Sequence, residues 1–147
     1  GVHALGQVAH FDAPKNYDTD RIRDGLNFYI QPNVVSVLAA EKMDEHFHAR
    51  LSAKRRYYEY HIHNRRPPLS VDALRAWHVS EPLDVDAMRE GAKYLIGEHD
   101  FTSFRDAECQ AKSPIRTLYD THIEEREGGK IILYFTAKSF LHHQVRT

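Results

Sequence analysis

A single cysteine, Cys109, is present among the 147 residues, so the chain cannot form an internal disulfide. No histidine neighbours Cys109 in sequence to activate it, which favours a small buried thiol over a nucleophile. No apolar run approaches the roughly 20 residues that a membrane-spanning helix needs, so we expect no membrane insertion. With 41% hydrophobic residues the composition suits one globular domain, and a reducing cytoplasm is the expected location.

An overall excess of basic residues is also missing. Lysine and arginine number 20 against 21 acidic residues, for a formal net charge of −1, whereas nucleic-acid-binding domains are usually basic. The basic residues are unevenly distributed, however, because the segment from Arg50 to Arg66 contains one acid, Glu59, and six basic residues. These six are Arg50, Lys54, Arg55, Arg56, Arg65 and Arg66. This local basic stripe permits RNA binding that the net charge does not predict.

The first forty residues are predicted to contain one helix between two strands. Residues 8–11 form a short strand-like run. A helix is expected from about Thr19 or Asp20, ended by Pro32, because four apolar residues recur at helical spacing. These are Ile22, Leu26, Tyr29 and Ile30. Residues 34–40 are apolar and rich in valine, which predicts a mostly buried strand.

The rest of the chain is predicted to contain three strands and a second helix. Residues 56–63 alternate in character and indicate a strand, followed by a break at the two prolines 67–68. Asp84 can cap a helix that Gly97 ends, and its apolar stripe is Val85, Met88, Ala92, Leu95 and Ile96. After a polar loop over residues 98–113, strands at 117–125 and 130–137 form a hairpin whose turn uses Gly128 and Gly129.

The order β-α-β-β-α-β-β, with adjacent strands and few parallel crossovers, predicts an α+β fold with a largely antiparallel sheet flanked by helices. We expect residues 1–147 to belong to a single domain that is truncated at both ends. Residues 140–147 could begin a further helix. On a helix the adjacent His142 and His143 would point in different directions, so they are not expected to form a chelating pair.

Four separated segments match a known set of motifs in the same order. Residues 1–4 read Gly-Val-His-Ala, and residues 47–53 read Phe-His-Ala-Arg-Leu-Ser-Ala, running into Arg-Tyr-Tyr-Glu-Tyr at 56–60. Residues 100–105 read Asp-Phe-Thr-Ser-Phe-Arg, and residues 140–146 read Phe-Leu-His-His-Gln-Val-Arg. Together they resemble the A-type tRNA pseudouridine synthases, and the resemblance spans the whole chain.

The resemblance implies the pseudouridine synthase catalytic fold and the isomerisation of uridine to pseudouridine in the anticodon stem-loop of tRNA, on its 3′ side. It implies no metal or organic cofactor, tRNA as the partner, and a homodimer. In that family the catalytic aspartate belongs to a Gly-Arg-Thr-Asp-x-Gly-Val-His-Ala stretch. Only the tail of this stretch, beginning at Gly1, is present here, so we expect the catalytic aspartate upstream and this piece alone to be inactive. Asp12 and Asp106 are not in the family position.

The resemblance also assigns candidate site residues. Tyr58 corresponds to the active-site tyrosine, whose ring can pack against uracil and whose hydroxyl can reach a base edge or a proton. Arg146 corresponds to the arginine expected to pair with the catalytic carboxylate and to lower its pKa. Further candidates for binding substrate or RNA are His3, His48, Arg50, Arg55, Arg56, Arg65, Arg66, Phe104 and Arg105. For Arg50 a structural salt bridge is nearly as well supported, and for Phe104 a place in the core is favoured.

Two other functional classes stay open at this stage. Histidines at i and i+2 occur at His46 and His48 and again at His61 and His63, which places each pair on one face of a strand. Such pairs can bind zinc with a third ligand, as in a metal-dependent hydrolase, although no compact metal-binding motif completes the site. The second alternative is a non-catalytic RNA-binding module.

Overall fold

The computed structural model describes residues 2–147, so Gly1 of the first motif lies outside the described residues. The chain divides into two compact units. One, the helix unit, comprises residues 4–53, and the other, the sheet unit, comprises residues 54–147 with residues 2–3. Within residues 2–147, no helix is both long and apolar enough to cross a membrane.

The helix unit contains the first predicted helix. Helix α1 is Thr19–Ile30, and the side chain of Asp18 caps it by accepting hydrogen bonds from the backbone amides of Asp20 and Arg21 at 3.0 and 3.1 Å. Such a cap satisfies amides that have no partner inside the helix. The helix ends directly before residues 31–32, as the proline predicts.

The prediction of two strands in the helix unit is wrong. Residues 8–11 and 34–40 do not belong to a strand in the structure. Asn27 on α1 instead holds Val37, with its side-chain amide donating to the Val37 carbonyl at 2.9 Å and its side-chain oxygen accepting from the Val37 amide at 2.8 Å. Val34 is fully exposed, so burial of this segment is not seen either. Apolar composition favours an extended backbone but does not supply the neighbouring strand that a sheet needs.

The sheet unit is built on five strands. They are β1 (Arg56–Asn64), β2 (Trp77–Val79), β3 (Gly97–Asp100), β4 (Ile115–Arg126) and β5 (Lys130–Ala137), arranged in the order β2-β1-β5-β4-β3. The pair β1–β2 is parallel and the other pairs are antiparallel. With the helices this is the predicted α+β fold, with a mixed and mostly antiparallel sheet. Strands β2 and β3 are not predicted, because they are short and β3 lies in a segment whose polar composition indicates a loop.

The β4–β5 hairpin is confirmed, and its turn depends on two glycines. Gly128 and Gly129 have φ angles of 77° and 74°, which is the left-handed region that side chains disfavour. Gly129 also lies against Asn64 at the end of β1, whose backbone amide donates to the Gly129 carbonyl at 2.7 Å. The turn is therefore tied to β1 as well as to its own hairpin.

Helix α2 (Val85–Lys93) covers one face of the sheet. Its cap is confirmed, because the Asp84 side chain accepts from the Ala87 amide at 2.9 Å. The buried cluster beneath it comprises Ile62, Val85, Ile123 and Ile131, with Tyr60, Val79, Leu83, Met88, Ala92 and Leu133 packed around it. Removing these apolar side chains from water is the main driving force for the sheet unit to fold.

A second, smaller cluster is formed by segments outside the strands. Phe101, Cys109 and Leu141 are buried together, with Leu95 and Ala111 against them. Cys109 is thus the buried thiol that the sequence favours. Residues 140–147 form successive turns rather than the beginning of a helix. The small cluster fixes these turns beside the loop that contains Cys109.

Candidate active site

Tyr58 lies on β1, directly opposite Phe135 on β5. Its half-buried ring packs edge-on against Phe140, with ring centroids 5.0 Å apart at an interplanar angle of 84°. Edge-to-face packing of this kind fixes both rings. The fold thereby brings together two of the separated motifs, the one containing Tyr58 and the one beginning at Phe140.

An apolar cleft opens beside this aromatic pair. Phe135 and Phe140 contribute to its wall, as does Leu118 on β4. The complete lining is Leu95, Phe101, Phe104, Leu118, Phe135, Phe140, Gln144, Val145 and Thr147. A concave surface lined mainly by rings and aliphatic side chains suits a flat, uncharged group.

Arg146 lies in the turns that follow Phe140. Its guanidinium is hydrogen-bonded to Nε2 of His143, and its backbone amide donates to the His143 carbonyl at 2.9 Å. His143 has a φ of 63°, in the left-handed region. Within residues 2–147 Arg146 makes no ion pair with an acid, so its pairing with a catalytic carboxylate stays a prediction.

His142 and His143 both lie against Asp106. Nδ1 of His143 is 2.6 Å from Asp106 Oδ2, Nδ1 of His142 is 3.7 Å from Asp106 Oδ1, and the two imidazole ring centroids are 3.7 Å apart. The expectation that these rings diverge is wrong, because it assumes a helix. In the turn that the structure shows, where His143 has a left-handed backbone, both rings lie beside one carboxylate. No sequence signal links Asp106 to this turn.

The motif containing Phe104 and Arg105 lies next to the cleft. Phe104 lines it and packs on Phe101 with ring centroids 5.8 Å apart, while remaining 37% exposed. Arg105 donates to the backbone carbonyls of Cys109 and Ala111, both at 2.8 Å. The arginine therefore holds a loop beside the cleft, and contact of either side chain with RNA stays a prediction.

The basic stripe contains residues in different environments. Arg55 is exposed and lies over the ring of Tyr119, 5.6 Å from its centroid. Arg56 donates to the backbone carbonyl of Lys138. Arg65 donates to the Pro68 carbonyl at 3.3 Å, and Arg66 is exposed. The stripe thus combines side chains that brace the ends of strands with exposed cations available to phosphate.

The remaining candidates, His3, His48 and Arg50, are not brought into one described site. His3 is exposed. In the helix unit Nδ1 of His48 accepts from the backbone amides of Arg50 and Leu51, both at 3.3 Å, and the His48 ring lies 4.3 Å from that of His10. His48 therefore caps a local turn, and a role for it, His3 or Arg50 toward RNA stays a prediction.

Comparison with known proteins identifies the family. A family model described as tRNA pseudouridine synthase matches residues 92–147. The tRNA pseudouridine synthase A of Paramagnetospirillum magneticum is 56% identical over 146 residues, covering 99% of this chain and 57% of that protein. Those of Afipia carboxidovorans and Maricaulis maris are 52% and 48% identical over the whole chain, covering 60% and 59% of their lengths. The chain belongs to the tRNA pseudouridine synthase A family. It spans somewhat more than half the length of these relatives.

The histidine pairs considered for a metal-dependent hydrolase are not arranged as a zinc site. His46 and His48 lie in turns rather than on a strand. His61 and His63 do share β1, but each contacts its own carboxylate, Glu59 at 2.9 Å and Asp72 at 3.2 Å. Among residues 2–147, one group of three potential ligands lies close enough for a metal ion, and it contains neither pair.

His63 is a buried titratable residue of the sheet unit, and its burial makes the stability of this unit depend on pH. Burial lowers its pKa, although the carboxylate of Asp72 opposes the shift. The unfolded chain therefore takes up the proton more readily than the folded chain, and acidification through the ordinary histidine pKa of about 6.5 favours unfolding. The stability is complete above that pH and decreases as the pH falls toward the lowered pKa of the folded state.

We expect His63→Gln to reduce this dependence on pH, because glutamine does not titrate. Urea midpoints at pH 7.5 and 5.5 should lie closer together in the variant than in the unmodified full-length protein. His61→Gln, on the same strand but half exposed, is the matched control and should leave the interval unchanged. Equal intervals for His63→Gln and the unmodified protein would show that His63 is not responsible.

Proposed function

We propose that the full-length protein is a tRNA pseudouridine synthase that isomerises uridine on the 3′ side of the anticodon stem-loop without a metal or organic cofactor. Membership of the tRNA pseudouridine synthase A family supports the reaction class. The position within tRNA rests on the four motifs alone. The observation that supports this placement of the site is the packing of Tyr58 against Phe140, which is part of the wall of an apolar cleft.

The reaction breaks the glycosidic carbon–nitrogen bond, rotates the uracil and reattaches it through carbon. Uracil has to leave the RNA stack to be reached, as for other enzymes that act on a base. The cleft beside Tyr58 offers an apolar surface for the extruded base. Of the two rings, Tyr58 is the one with a group that can exchange a proton, its hydroxyl. Tyr58 is therefore assigned to the chemical step.

A carboxylate supplies the attacking or deprotonating group, and Arg146 is assigned to hold it ionised. An adjacent guanidinium favours the charged form of a carboxyl group and can bind it through two hydrogen bonds. The 147 residues contain no Arg-Thr-Asp sequence, which is where the resemblance places the catalytic aspartate. We therefore expect these residues alone to show no turnover, although they contribute to the catalytic domain.

Binding of tRNA is assigned to the basic stripe and to the aromatic residue at the edge of the cleft. Phosphate contacts position RNA without reading its sequence, and aromatic rings stack on bases. The assigned residues are His3, His48, Arg50, Arg55, Arg56, Arg65, Arg66, Phe104 and Arg105. A homodimer, in which a second copy extends the RNA-binding surface, is part of the same proposal.

The direct test incubates the full-length protein with an anticodon stem-loop RNA and maps pseudouridine by carbodiimide labelling. We expect one or more uridines on the 3′ side to be converted, also in the presence of EDTA. The matched substrate carries cytidine at those positions and should remain unlabelled. The 147-residue piece should give no product. Absence of pseudouridine with the full-length protein, on both the stem-loop and whole tRNA, would refute the proposed function.

A further inference from the structure

Three side chains from two separated segments form one hydrogen-bonded chain. The Arg146 guanidinium is bonded to Nε2 of His143, and Nδ1 of His143 lies 2.6 Å from Oδ2 of Asp106. The carboxylate is the far end of this chain, since Asp106 Oδ1 accepts the backbone amide of Glu108 at 2.8 Å. On the side that faces away from Arg146, His143 is therefore bonded to Asp106, and Asp106 is bonded to the Glu108 amide.

The chemistry of the three groups decides which nitrogen of His143 holds the proton. Arginine has only donors, so Nε2 of His143 has to accept with its lone pair. In neutral imidazole the other nitrogen, Nδ1, then carries the hydrogen and donates it to Asp106. Hydrogen bonds from Glu108 and His143 hold the pKa of the Asp106 carboxyl below its ordinary value, so the acceptor is ionised at neutral pH. The carboxylate thus selects the one tautomer that can bind Arg146.

The backbone around this chain is fixed from both sides. The His142 amide donates to Cys109 Sγ at 3.4 Å, and the Asp106 amide donates to the His142 carbonyl at 3.4 Å. Within the turn, the amide of buried Leu141 donates to the side-chain oxygen of Gln144 at 2.7 Å. The loop that contains Asp106 is therefore docked against the turn that contains His143. This fixes the place of His143, the one hydrogen-bond acceptor that the exposed Arg146 guanidinium has among the described residues.

We propose that Asp106 and His143 are positioning residues that hold the Arg146 guanidinium where it meets the catalytic carboxylate. This inference rests on the proposed function, because that function assigns Arg146 its partner. The two residues do not touch the uridine. They act through Arg146, with His143 as its acceptor and Asp106 as the group that fixes the tautomer and ring orientation of His143.

The same three groups, Asp106, His142 and His143, present ligand atoms within 4.8 Å of one another, which is a spacing that a metal ion could bridge. A metal at this place would have to displace the Nδ1 proton of His143. It would also lie close to the positive charge of Arg146. The hydrogen-bonded arrangement satisfies both nitrogens of His143 without either cost, and zinc binding becomes an outcome of the test.

The first variant is Asp106→Asn in the full-length enzyme, which removes the charge of the carboxylate but keeps the shape of the side chain. The carboxylate accepts from two donors, the Glu108 amide and His143 Nδ1. An asparagine side chain has one oxygen, so it either loses the Glu108 amide or presents its NH₂ to Nδ1. In the second case His143 adopts the other tautomer, and its Nε2 hydrogen opposes the guanidinium of Arg146. We expect kcat to fall by about 10- to 100-fold, the range for a misplaced catalytic group, with KM for the RNA little changed.

His143→Asn is the second variant, chosen because it should fold normally. Asparagine tolerates the left-handed backbone at this position better than most residues, yet it cannot reach Arg146 as an acceptor. The matched control is His142→Asn, because His142 lies against the same carboxylate but has no bond to Arg146. We expect kcat to fall for His143→Asn and to be unchanged for His142→Asn, with unfolding midpoints of all three variants close to that of the parent.

The double variant decides whether Asp106 acts through His143. If it does, Asp106→Asn combined with His143→Asn loses no more kcat than His143→Asn alone. The positioning role would be overturned if the double variant lost the product of the two single losses in kcat. It would also be overturned by an unchanged kcat in either single variant, or by a rise in KM without a fall in kcat. One equivalent of zinc retained by the active enzyme and lost with Asp106→Asn would overturn it in favour of a metal site. An inactive parent enzyme would instead refute the proposed function.

Discussion

Removal of the Tyr58 hydroxyl is expected to lower kcat of the full-length enzyme by about 10²- to 10⁴-fold, which is the usual contribution of a positioned acid or base. Tyr58→Phe keeps the ring, and with it the edge-on contact with Phe140. In the part of the chain that the structure describes, no group is hydrogen-bonded to this hydroxyl, so we expect its removal to leave the stability of the fold unchanged. Single-turnover pseudouridine formation gives the rate, and filter binding gives the RNA affinity, which should change little.

Tyr60→Phe is the matched control for this experiment. Tyr60 lies two residues further along β1, on the same face, and packs in the cluster beneath α2 with its ring 6.5 Å from that of Trp77. It should retain the parent rate. Equal losses of rate and affinity in Tyr58→Phe, or a lowered unfolding midpoint, would assign Tyr58 to packing instead of chemistry.

Gly129→Ala is expected to lower the unfolding free energy of the full-length protein by about 2–5 kcal/mol. A left-handed φ costs an ordinary residue about 1–2 kcal/mol, and forced overpacking adds about 1–3 kcal/mol. Both apply here, because the φ is 74° and an added Cβ would lie 2.4 Å from the carbonyl oxygen of Asn64. That oxygen belongs to the backbone at the end of β1 and cannot rotate away.

Gly128→Ala separates the two contributions. Gly128 has a φ of 77°, but an added Cβ there meets no atom within 4 Å, so it retains the conformational cost alone. Urea titration of the two variants should give a clearly smaller loss for Gly128→Ala. Similar losses for both variants would show that β1 can move away from the turn, contrary to the contact described here.

Asn64 explains why a movement of β1 at this point would be costly. Its side-chain amide donates to the carbonyls of Val79 and Glu81 at 3.0 and 2.6 Å, and its side-chain oxygen accepts from the Leu83 amide at 3.0 Å. One residue thus joins the hairpin turn to β2 and to the segment that leads into α2. A displacement at Gly129 would therefore also move β1, β2 and the segment that leads into α2.

The parts of the fold that were predicted correctly are those with local signals. A capping aspartate before an apolar stripe locates α2, and a Gly-Gly turn between alternating runs locates the β4–β5 hairpin. Residues 34–40 mislead because valine content reports a backbone preference, whereas a strand also needs a partner. The short β2 is recognised only through its pairing with Ile62 to Asn64, which no sequence window contains.

In the candidate site, too, the features with local sequence signals are predicted and those that depend on distant contacts are not. The motifs propose Tyr58 and Arg146 as site residues, whereas the cleft is recognised only once the strands are paired. The role proposed for Asp106 is not predicted from the sequence, because it depends on a contact across 37 positions and on a left-handed backbone at His143. Neither is visible in residue spacing, so a carboxylate without a motif position is set aside by sequence reasoning.

The strand order has a consequence for how the protein is made. Tyr58 on β1 is paired with Phe135 on β5, roughly half the chain later. Among residues 2–147, the one other strand that pairs with β1 is the three-residue β2. Pairing over such a separation is slow, because a long loop has to close first. During translation, the edge of β1 that pairs with β5 therefore gains this partner only after β5 has left the ribosome. Tyr58 acquires its aromatic surroundings only in the last steps of synthesis of this region.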